Sequence, residues 1–324
     1  MQDNINRYID YIRISLTDHC NLRCCYCMPE SQVDFLSSNE LMTRDEIITI
    51  TKLMARNGIC KVKLTGGEPL LRKDLVEIVQ ELKAIDGIEQ ITLTTNGILL
   101  KDKLKELVEA GISSVNISID SRNPEHYHEI TKRNVFEQAW TGLMEALKYP
   151  EISVKVNCVP IDCSPENITE MAELARDHKL SVRFIEMMPI GYGVNYQRCD
   201  EEYIKSVLEQ AYGPVRLVDK KLGNGPARYY EIDGFQGKIG FISAVSHKFC
   251  SDCNRIRLTS EGLLKTCLQY GGQLNLKELL RQGISEEELE GIIGEEVKRK
   301  PHGHHFNEQS TDQDEKKYLG SIGG

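Results

Sequence analysis

Eight residues constrain this chain most: Cys20-Asn21-Leu22-Arg23-Cys24-Cys25-Tyr26-Cys27. Cys20, Cys24 and Cys27 stand in the spacing C-x3-C-x2-C, with Cys25 to spare. The run before them, Tyr11-Ile12-Arg13-Ile14-Ser15-Leu16, alternates and predicts a strand. The cysteines therefore fall in a loop just past a strand's C-terminal end. Three thiolates this close in sequence can converge on one metal centre. A structural zinc site wants four ligands, so a distant Cys or His would have to complete it. A [4Fe–4S] cluster usually takes four cysteines; with three, one iron stays open for chemistry. The loop alone leaves both readings standing.

The chain has 324 residues, and its 40% hydrophobic and 27% charged content is that of a soluble globular protein. No apolar run approaches the ~20 residues that span a bilayer. The start, Met1-Gln2-Asp3, lacks the apolar stretch of a signal peptide. Eleven cysteines, two groups of them tightly clustered, then point to metal in a reducing compartment, which is the cytoplasm. The formal charge of −9 argues against non-specific nucleic-acid binding.

Past the cysteine loop, Thr43-Arg44-Asp45-Glu46 is a capping box opening a helix that ends at Asn57-Gly58. Strands are predicted at Cys60–Leu64, Ile91–Thr94, Ser114–Ile119, Ile152–Val159 and Ser181–Ile185. Helices are predicted through Leu75–Leu82 and over 102–110, 134–148 and 166–178. Repeated βα units give a parallel sheet. Six units are too few for a full eight-stranded barrel. The expected fold is α/β, an open partial (β/α)6 barrel over 5–213, with a doubly wound sheet as its structural rival. In both, function collects at the strands' C-terminal ends. The unusual residues fall there: the cysteine loop, Gly66-Gly67-Glu68-Pro69, Thr94-Thr95-Asn96-Gly97, Ser118 and Glu186-Met187-Met188. Gly66-Gly67 is expected to let backbone approach a ligand.

Parity adds a second signal. Arg13, Lys63, Lys155 and Arg183 each lie between two apolar residues on a strand. Side chains alternate along a strand. If the apolar neighbours pack under helices, the four cations point inward and want an anionic ligand. The alternative is a set of solvated or carboxylate-paired cations.

From 214 to 324 a smaller α+β region is expected, with short strands at Pro214–Asp219, Tyr229–Ile232 and Lys238–Ser243. It carries Phe249-Cys250-x-x-Cys253-Asn254-Arg255-Ile256-Arg257 and then Cys267, again three cysteines rather than four. Arg255 and Arg257 share one strand face. A zinc site here would need His247 as the local fourth ligand. Ser285 caps a last helix. The stretch 301–324 is polar and aperiodic, with His302, His304 and His305 expected on an exposed turn. It ends in Gly323-Gly324, expected as a flexible tail. Cys60, Cys158, Cys163 and Cys199 are expected to be structural.

The cysteine loop followed by Gly-Gly-Glu-Pro resembles the radical S-adenosylmethionine (SAM) superfamily. Both triplets together, with Cys25-Tyr26-Cys27-Met28-Pro29, Arg183-Phe184-Ile185-Glu186 and the terminal Ile322-Gly323-Gly324, resemble the GTP 3′,8-cyclase family, which begins molybdenum cofactor biosynthesis. The resemblance implies a partial barrel, two [4Fe–4S] clusters and SAM. It puts one cluster on Cys20, Cys24 and Cys27, and SAM at Tyr26, Gly67, Ser118 and Met188. It puts the second on Cys250, Cys253 and Cys267, with its open iron toward the guanine of GTP. GTP contacts fall on Arg13, Lys63, Thr94, Lys155, Arg255, Ile256 and Arg257, with Arg183 added by parity. Lys63 stands where the family commonly has Arg; it keeps the charge but loses the bidentate fork. Arg255, Arg257, Gly323 and Gly324 join the first triplet as residues expected at the chemistry. The implied partners are GTP, a reducing electron donor and the next pathway enzyme, cyclic pyranopterin monophosphate synthase, with a homodimer as a further expectation. The alternatives are another radical SAM enzyme with a C-terminal auxiliary cluster, or a non-enzymatic zinc module.

Overall fold

The computed structural model describes residues 1–219, 222–272, 274–308, 311–312 and 314–323. The βα units appear in chain order: β1 (Tyr11–Ser15), α1 (Arg44–Arg56), β2 (Lys61–Thr65), α2 (Leu75–Lys83), β3 (Gln90–Thr95), α3 (Leu100–Ala110) and β4 (Ser114–Ser118). Then come α4 (Pro124–Thr131), α5 (Phe136–Ala146), β5 (Ser153–Cys158), α6 (Pro165–Asp177), β6 (Ser181–Ile185) and α7 (Glu201–Tyr212). The C-terminal part holds β7 (Arg216–Leu217), β8 (Arg228–Glu231), β9 (Lys238–Ile242), β10 (Arg255–Leu258), β11 (Leu263–Lys265), β12 (Leu274–Asn275), α8 (Leu276–Arg281) and α9 (Glu286–Lys298).

Strands β1 to β6 lie side by side in sequence order and pair in parallel. A doubly wound sheet reverses its order at a switch point; none occurs here. Every crossover therefore runs the same way, and the helices cover one face of an open, curved wall. The apolar side chains that alternate with the cations pack under those helices. Ile12, Val62, Leu64, Val156, Val182 and Ile256 are all fully buried there.

The C-terminal strands do not stand apart. Among the described residues, β10 joins β1 in parallel, and β9 joins β6 in parallel. One 12-stranded sheet runs from β12 to β7. Three helices, α4, α7 and α8, go beyond expectation. The stretch 134–148 yields only α5, while Asn123, which caps α4 with Pro124 in its first turn, starts a separate helix before it. Helix α7, capped by Asp200, was not foreseen. It matters, because Glu201 at its start ties it to the β8–β9 hairpin. The buried Glu201 carboxylate accepts from Arg228 Nη2 at 2.7 Å, Tyr230 Oη at 2.8 Å and Ser243 Oγ at 2.6 Å. Glu201→Ala strands the two buried hydroxyls. It should lower unfolding stability by about 2 kcal/mol, read as a shifted urea midpoint at unchanged slope.

Candidate active site

The concave face of the wall holds a cavity of about 330 Å³. Among the described residues it is lined by Arg13, Lys63, Lys155, Arg183, Arg255, Arg257 and Lys300, but by only two carboxylates, Glu68 and Asp120. The four cations that parity turns inward all line this cavity. Lys63, Arg183 and Arg257 are 6–7% exposed. Burial pushes Lys63 well below its ordinary value, and the charges acting on it are Arg13, Arg183, Lys155 and Arg255, all cations. Burial and then Arg183 bring Lys155 down to about 8. Burial also lowers Arg183 and Arg257. Neutral amides orient the row: Arg183 Nη2 donates to Asn116 Oδ1 at 2.7 Å and to Asn157 Oδ1 at 2.5 Å. Asn116 Nδ2 in turn donates to Thr94 Oγ1 at 3.3 Å. Such a site is electrostatically complementary to a polyanion. Ile256 points the other way, into the core under the helices, because it alternates with Arg255 and Arg257.

The cysteine loop is held by backbone packing. A Cβ on Gly66 would lie 2.6 Å from Thr17 O, and one on Gly67 would lie 2.3 Å from His19 O. The expected close approach is thus first to the chain's own backbone. Gly67 N donates to Thr17 O at 2.6 Å, and Glu68 N to His19 O at 2.7 Å. The buried Glu68 carboxylate accepts from Leu70 N at 3.0 Å, Thr95 Oγ1 at 2.7 Å and Asn96 N at 2.8 Å. Burial raises its pKa to about 7, with those bonds opposing. Asn96 Nδ2 reaches Asn21 Oδ1 at 2.7 Å. Three loops at the strand ends are so locked together. Cys20, Cys24 and Cys27 line the cavity there, with Tyr26, Gly67, Ser118 and Met188. Tyr26 Oη donates to Asp120 Oδ2 at 2.8 Å. Burial pushes the Cys20 thiol up to about 11 and Cys27 to about 12. Cys25 lines a separate, more open pocket with His126 and Tyr196.

Cys250, Cys253 and Cys267 line the same cavity. Cys250 and Cys253 precede β10, whose Arg255 pairs with Tyr11 at the start of β1. The two triplets therefore lie toward opposite ends of the strands. Burial opposes ionisation of Cys253, but Lys300 and Arg255 outweigh it, and its thiol ends below the ordinary value. Lys300 Nζ donates to Arg255 O at 2.9 Å and to Thr266 O. His247 lies outside this cavity, 43% exposed and 3.8 Å from Glu201, so the local candidate for a fourth ligand faces elsewhere. No group of three His, Cys, Asp or Glu among the described residues is arranged to hold a single metal ion.

The end of the chain is not a solvated tail. Leu319 and Ile322 are buried against Ile190, with Tyr26, Cys27, Met188 and Leu268 packed around them. The Gly320 amide hydrogen-bonds Cys27. Gly323 has φ +79°, and a Cβ there would lie 2.9 Å from Ser15 Cβ and Thr65 Oγ1. Its carbonyl accepts from Arg257 Nη1 at 3.0 Å and Thr65 Oγ1 at 3.3 Å. Gly324 lies outside the described residues. His304, expected on an exposed turn, lines the cavity with Nε2 2.6 Å from Ala244 O. His305 packs on Tyr270 at 2.9 Å from its hydroxyl.

Known proteins are similar to this chain. Residues 14–203 match the Radical SAM superfamily model, and residues 180–306 match Molybdenum Cofactor Synthesis C. The chain is 43% identical over 325 residues to a GTP 3′,8-cyclase of Clostridium perfringens, covering all of both chains. The chain belongs to the GTP 3′,8-cyclase family of radical SAM enzymes. A second member, from Syntrophomonas wolfei, is 40% identical over 329 residues, again covering all of both. Among solved structures, Streptococcus suis SuiB bound to precursor peptide SuiA shares the fold with a TM-score of 0.62 at 15% identity, over 85% of this chain and 65% of that one. SAM and a first [4Fe–4S] cluster come with the superfamily. Asn116, Asn157, Asp120 and Lys300 were absent from the residues foreseen. Asn116 and Asn157 lie two residues from Ser118 and Lys155 on their strands, so the same parity would have found them.

A polyanion in the cavity would restore the Lys155 charge. Below about pH 7 Lys155 is protonated with or without the anion; above about 8 the anion-free form has lost its proton and binding must take one up. Affinity for inorganic triphosphate should fall as pH rises through about 8, by up to about tenfold per unit. Calorimetry in two buffers of different ionisation enthalpy should show proton uptake. A flat profile from pH 7 to 9.5 would contradict this.

Proposed function

We propose that this cavity converts GTP to (8S)-3′,8-cyclo-7,8-dihydroguanosine 5′-triphosphate, the first step of molybdenum cofactor biosynthesis. One observation carries the reading: two free cysteine triplets and a row of buried cations line a single cavity. Cys20, Cys24 and Cys27 hold the first [4Fe–4S] cluster on this reading, and Cys250, Cys253 and Cys267 a second. The donor set fits: each triplet brings three free thiols to the cavity wall, leaving one cluster corner for SAM or for guanine. Held there, the first cluster and SAM would supply one-electron, hydrogen-abstracting chemistry at the ribose C3′ of GTP; methionine and 5′-deoxyadenosine would leave, and a second electron from the donor with a proton would complete the C3′–C8 ring closure.

The chain's own residues do the rest. Tyr26, Gly67, Ser118 and Met188 bracket SAM. Arg13, Lys63, Lys155 and Arg183 neutralise the triphosphate, and Thr94 braces that row through Asn116. Arg255 and Arg257 bridge the row to the second triplet. Leu319 and Ile322 exclude water beside the first triplet, and Gly323 holds Arg257. Orientation of this kind is the protein's main contribution to a radical reaction whose hard chemistry lies in the cofactors. Residues 5–213 form the radical-generating part, and 214–324 the part that adds the second triplet and the tail. The expected setting is the cytoplasm, with an external electron donor, with cyclic pyranopterin monophosphate synthase taking the product, and with a homodimer as the assembly. Among the described residues no helix is long and apolar enough to cross a membrane.

Anaerobically reconstituted protein given SAM, reductant and GTP should release 5′-deoxyadenosine and the cyclised nucleotide. Cys24→Ala should abolish both products while the second triplet keeps its iron. Wild-type protein that cleaves SAM without consuming GTP would refute the substrate.

Deleting Gly323 and Gly324 removes the carbonyl that meets Arg257 and Thr65 but leaves the Leu319–Ile322 plug. Folding, iron content and GTP affinity should persist, while cyclised product per 5′-deoxyadenosine should fall at least about tenfold, as for a lost charge-assisted contact. Equal product yield would assign the last two residues no part in the reaction.

A further inference from the structure

The second cysteine triplet is framed by two buried cations that no motif marks. Arg7 lies in the segment before β1, and Asp3 balances its guanidinium, with Arg7 Nε donating to Asp3 Oδ2 at 2.5 Å. Its other nitrogens hold backbone. Nη1 donates to Cys250 O at 2.8 Å and to His302 O at 3.2 Å, and Nη2 to Lys300 O at 3.2 Å and to Pro301 O at 2.6 Å. The turn that follows α9 is thereby fixed against Cys250. Lys300 stands in that turn, 5% exposed, and lines the cavity. Its Nζ donates to Arg255 O at 2.9 Å and to Thr266 O, and it hydrogen-bonds the Cys253 side chain. Arg255 lies two residues past Cys253, and Thr266 directly precedes Cys267. Every cysteine segment of the triplet is therefore tied, through backbone or sulfur, to this pair of cations.

The two cations differ in what balances them. Arg7 has the carboxylate of Asp3. Burial opposes the charge on Lys300, as does Arg7, and the groups that favour it are Cys253 and Cys267. A cation so enclosed is costly unless an anion meets it. Capping of α9 does not supply the reason, because the ammonium donates to Arg255 and Thr266 and not to the last carbonyls of that helix. It is placed instead for a thiolate that holds metal. Groups that hydrogen-bond a ligand fix its geometry and set how much charge it gives the metal. In iron–sulfur sites, hydrogen bonds to the sulfurs and net charge set the reduction potential. Reduction adds a negative charge, which a cation at the Cys253 sulfur stabilises, so the potential rises.

We propose that Lys300 is a positioning residue for the second triplet: its ammonium ties the Cys253 and Cys267 segments together and draws charge from the Cys253 sulfur, so that a cluster held there is easier to reduce. The assignment rests on the reading of Cys250, Cys253 and Cys267 as the ligands of a second cluster. Lys300 acts through Cys253 rather than on the nucleotide. What it governs is how readily the open corner takes electron density, from a reductant or from the guanine of GTP. Arg7 serves it by fixing the turn from which the lysine reaches.

The test is a redox titration, followed by electron paramagnetic resonance, of the full-length, anaerobically reconstituted protein carrying Cys24→Ala, in which the second cluster alone gives the signal. Iron content is measured on every variant. Lys300→Met removes the charge and the donors, Lys300→Gln keeps a donor without the charge, and Lys300→Arg keeps both. Lys300→Met and Lys300→Gln should each make the cluster at least tenfold harder to reduce, a midpoint about 59 mV lower for one electron, and Lys300→Arg should restore most of the shift. Iron lost from the second triplet in both neutral variants but kept in Lys300→Arg also supports the assignment, since the charge is then what the ligand set needs. An unchanged midpoint in a neutral variant that holds its iron would overturn the assignment while leaving the second cluster standing, and so would loss of that iron in all three variants. No iron at the second triplet of the Cys24→Ala parent would overturn the second-cluster reading itself, and the role of Lys300 with it.

Discussion

Like charges buried together organise this molecule. Lys63 is almost fully enclosed, and the charges that act on it are further cations. Burial and mutual repulsion both disfavour the charged state. A fold tolerates this only where the covalent frame imposes it. Here the frame is strand pairing: Arg13 stands opposite Lys63 across β1–β2 and opposite Arg257 across β1–β10. Register delivers the cations side by side, and the apolar residues between them anchor each strand under its helix. An anion among these cations would relieve that repulsion, so the row is complementary to a polyanion.

The same sheet explains how two cysteine sets come to share one chamber. The first follows the C-terminal end of β1, and the second precedes β10, the strand that pairs with β1. One parallel pair therefore sets both ends. The first triplet depends on a lock of loops: Gly67 against His19, Glu68 bonded to Thr95 and Asn96. The chain terminus closes the space between, with Leu319 and Ile322 packed beside Tyr26 and Cys27. The two sites also differ in charge. Cations surround Cys253, whereas the carboxylates of Glu68 and Asp120 lie near the first triplet.

Much of this was legible because it is periodic. Alternation on β1, β2, β5 and β6 located the inward cations, and the loops after strands carried the unusual residues. The strict sequence order of the strands was not legible, since periodicity does not distinguish an open barrel from a doubly wound sheet. Nor was the placement of β9 and β10 on the two edges, which depends on long-range pairing. Helix α4 was announced by Asn123-Pro124 yet overlooked beside the longer apolar pattern that follows. The terminus misled for a physical reason. Its composition is polar and aperiodic, but a few apolar residues, Leu319 and Ile322, suffice to bury it. Lys300 follows the last helix with no pattern of its own, so only the folded chain reveals it beside Cys253.

The central claim is that one cavity holds two iron–sulfur clusters with the triphosphate between them. A crystal of the anaerobically reconstituted protein with GTP, measured at the iron absorption edge, tests it directly. Two iron peaks are predicted, one within reach of Cys20, Cys24 and Cys27, the other of Cys250, Cys253 and Cys267. Triphosphate density should lie among Lys63, Lys155 and Arg183. A single iron peak, zinc at the second triplet, or a triphosphate outside the cation row would contradict the account.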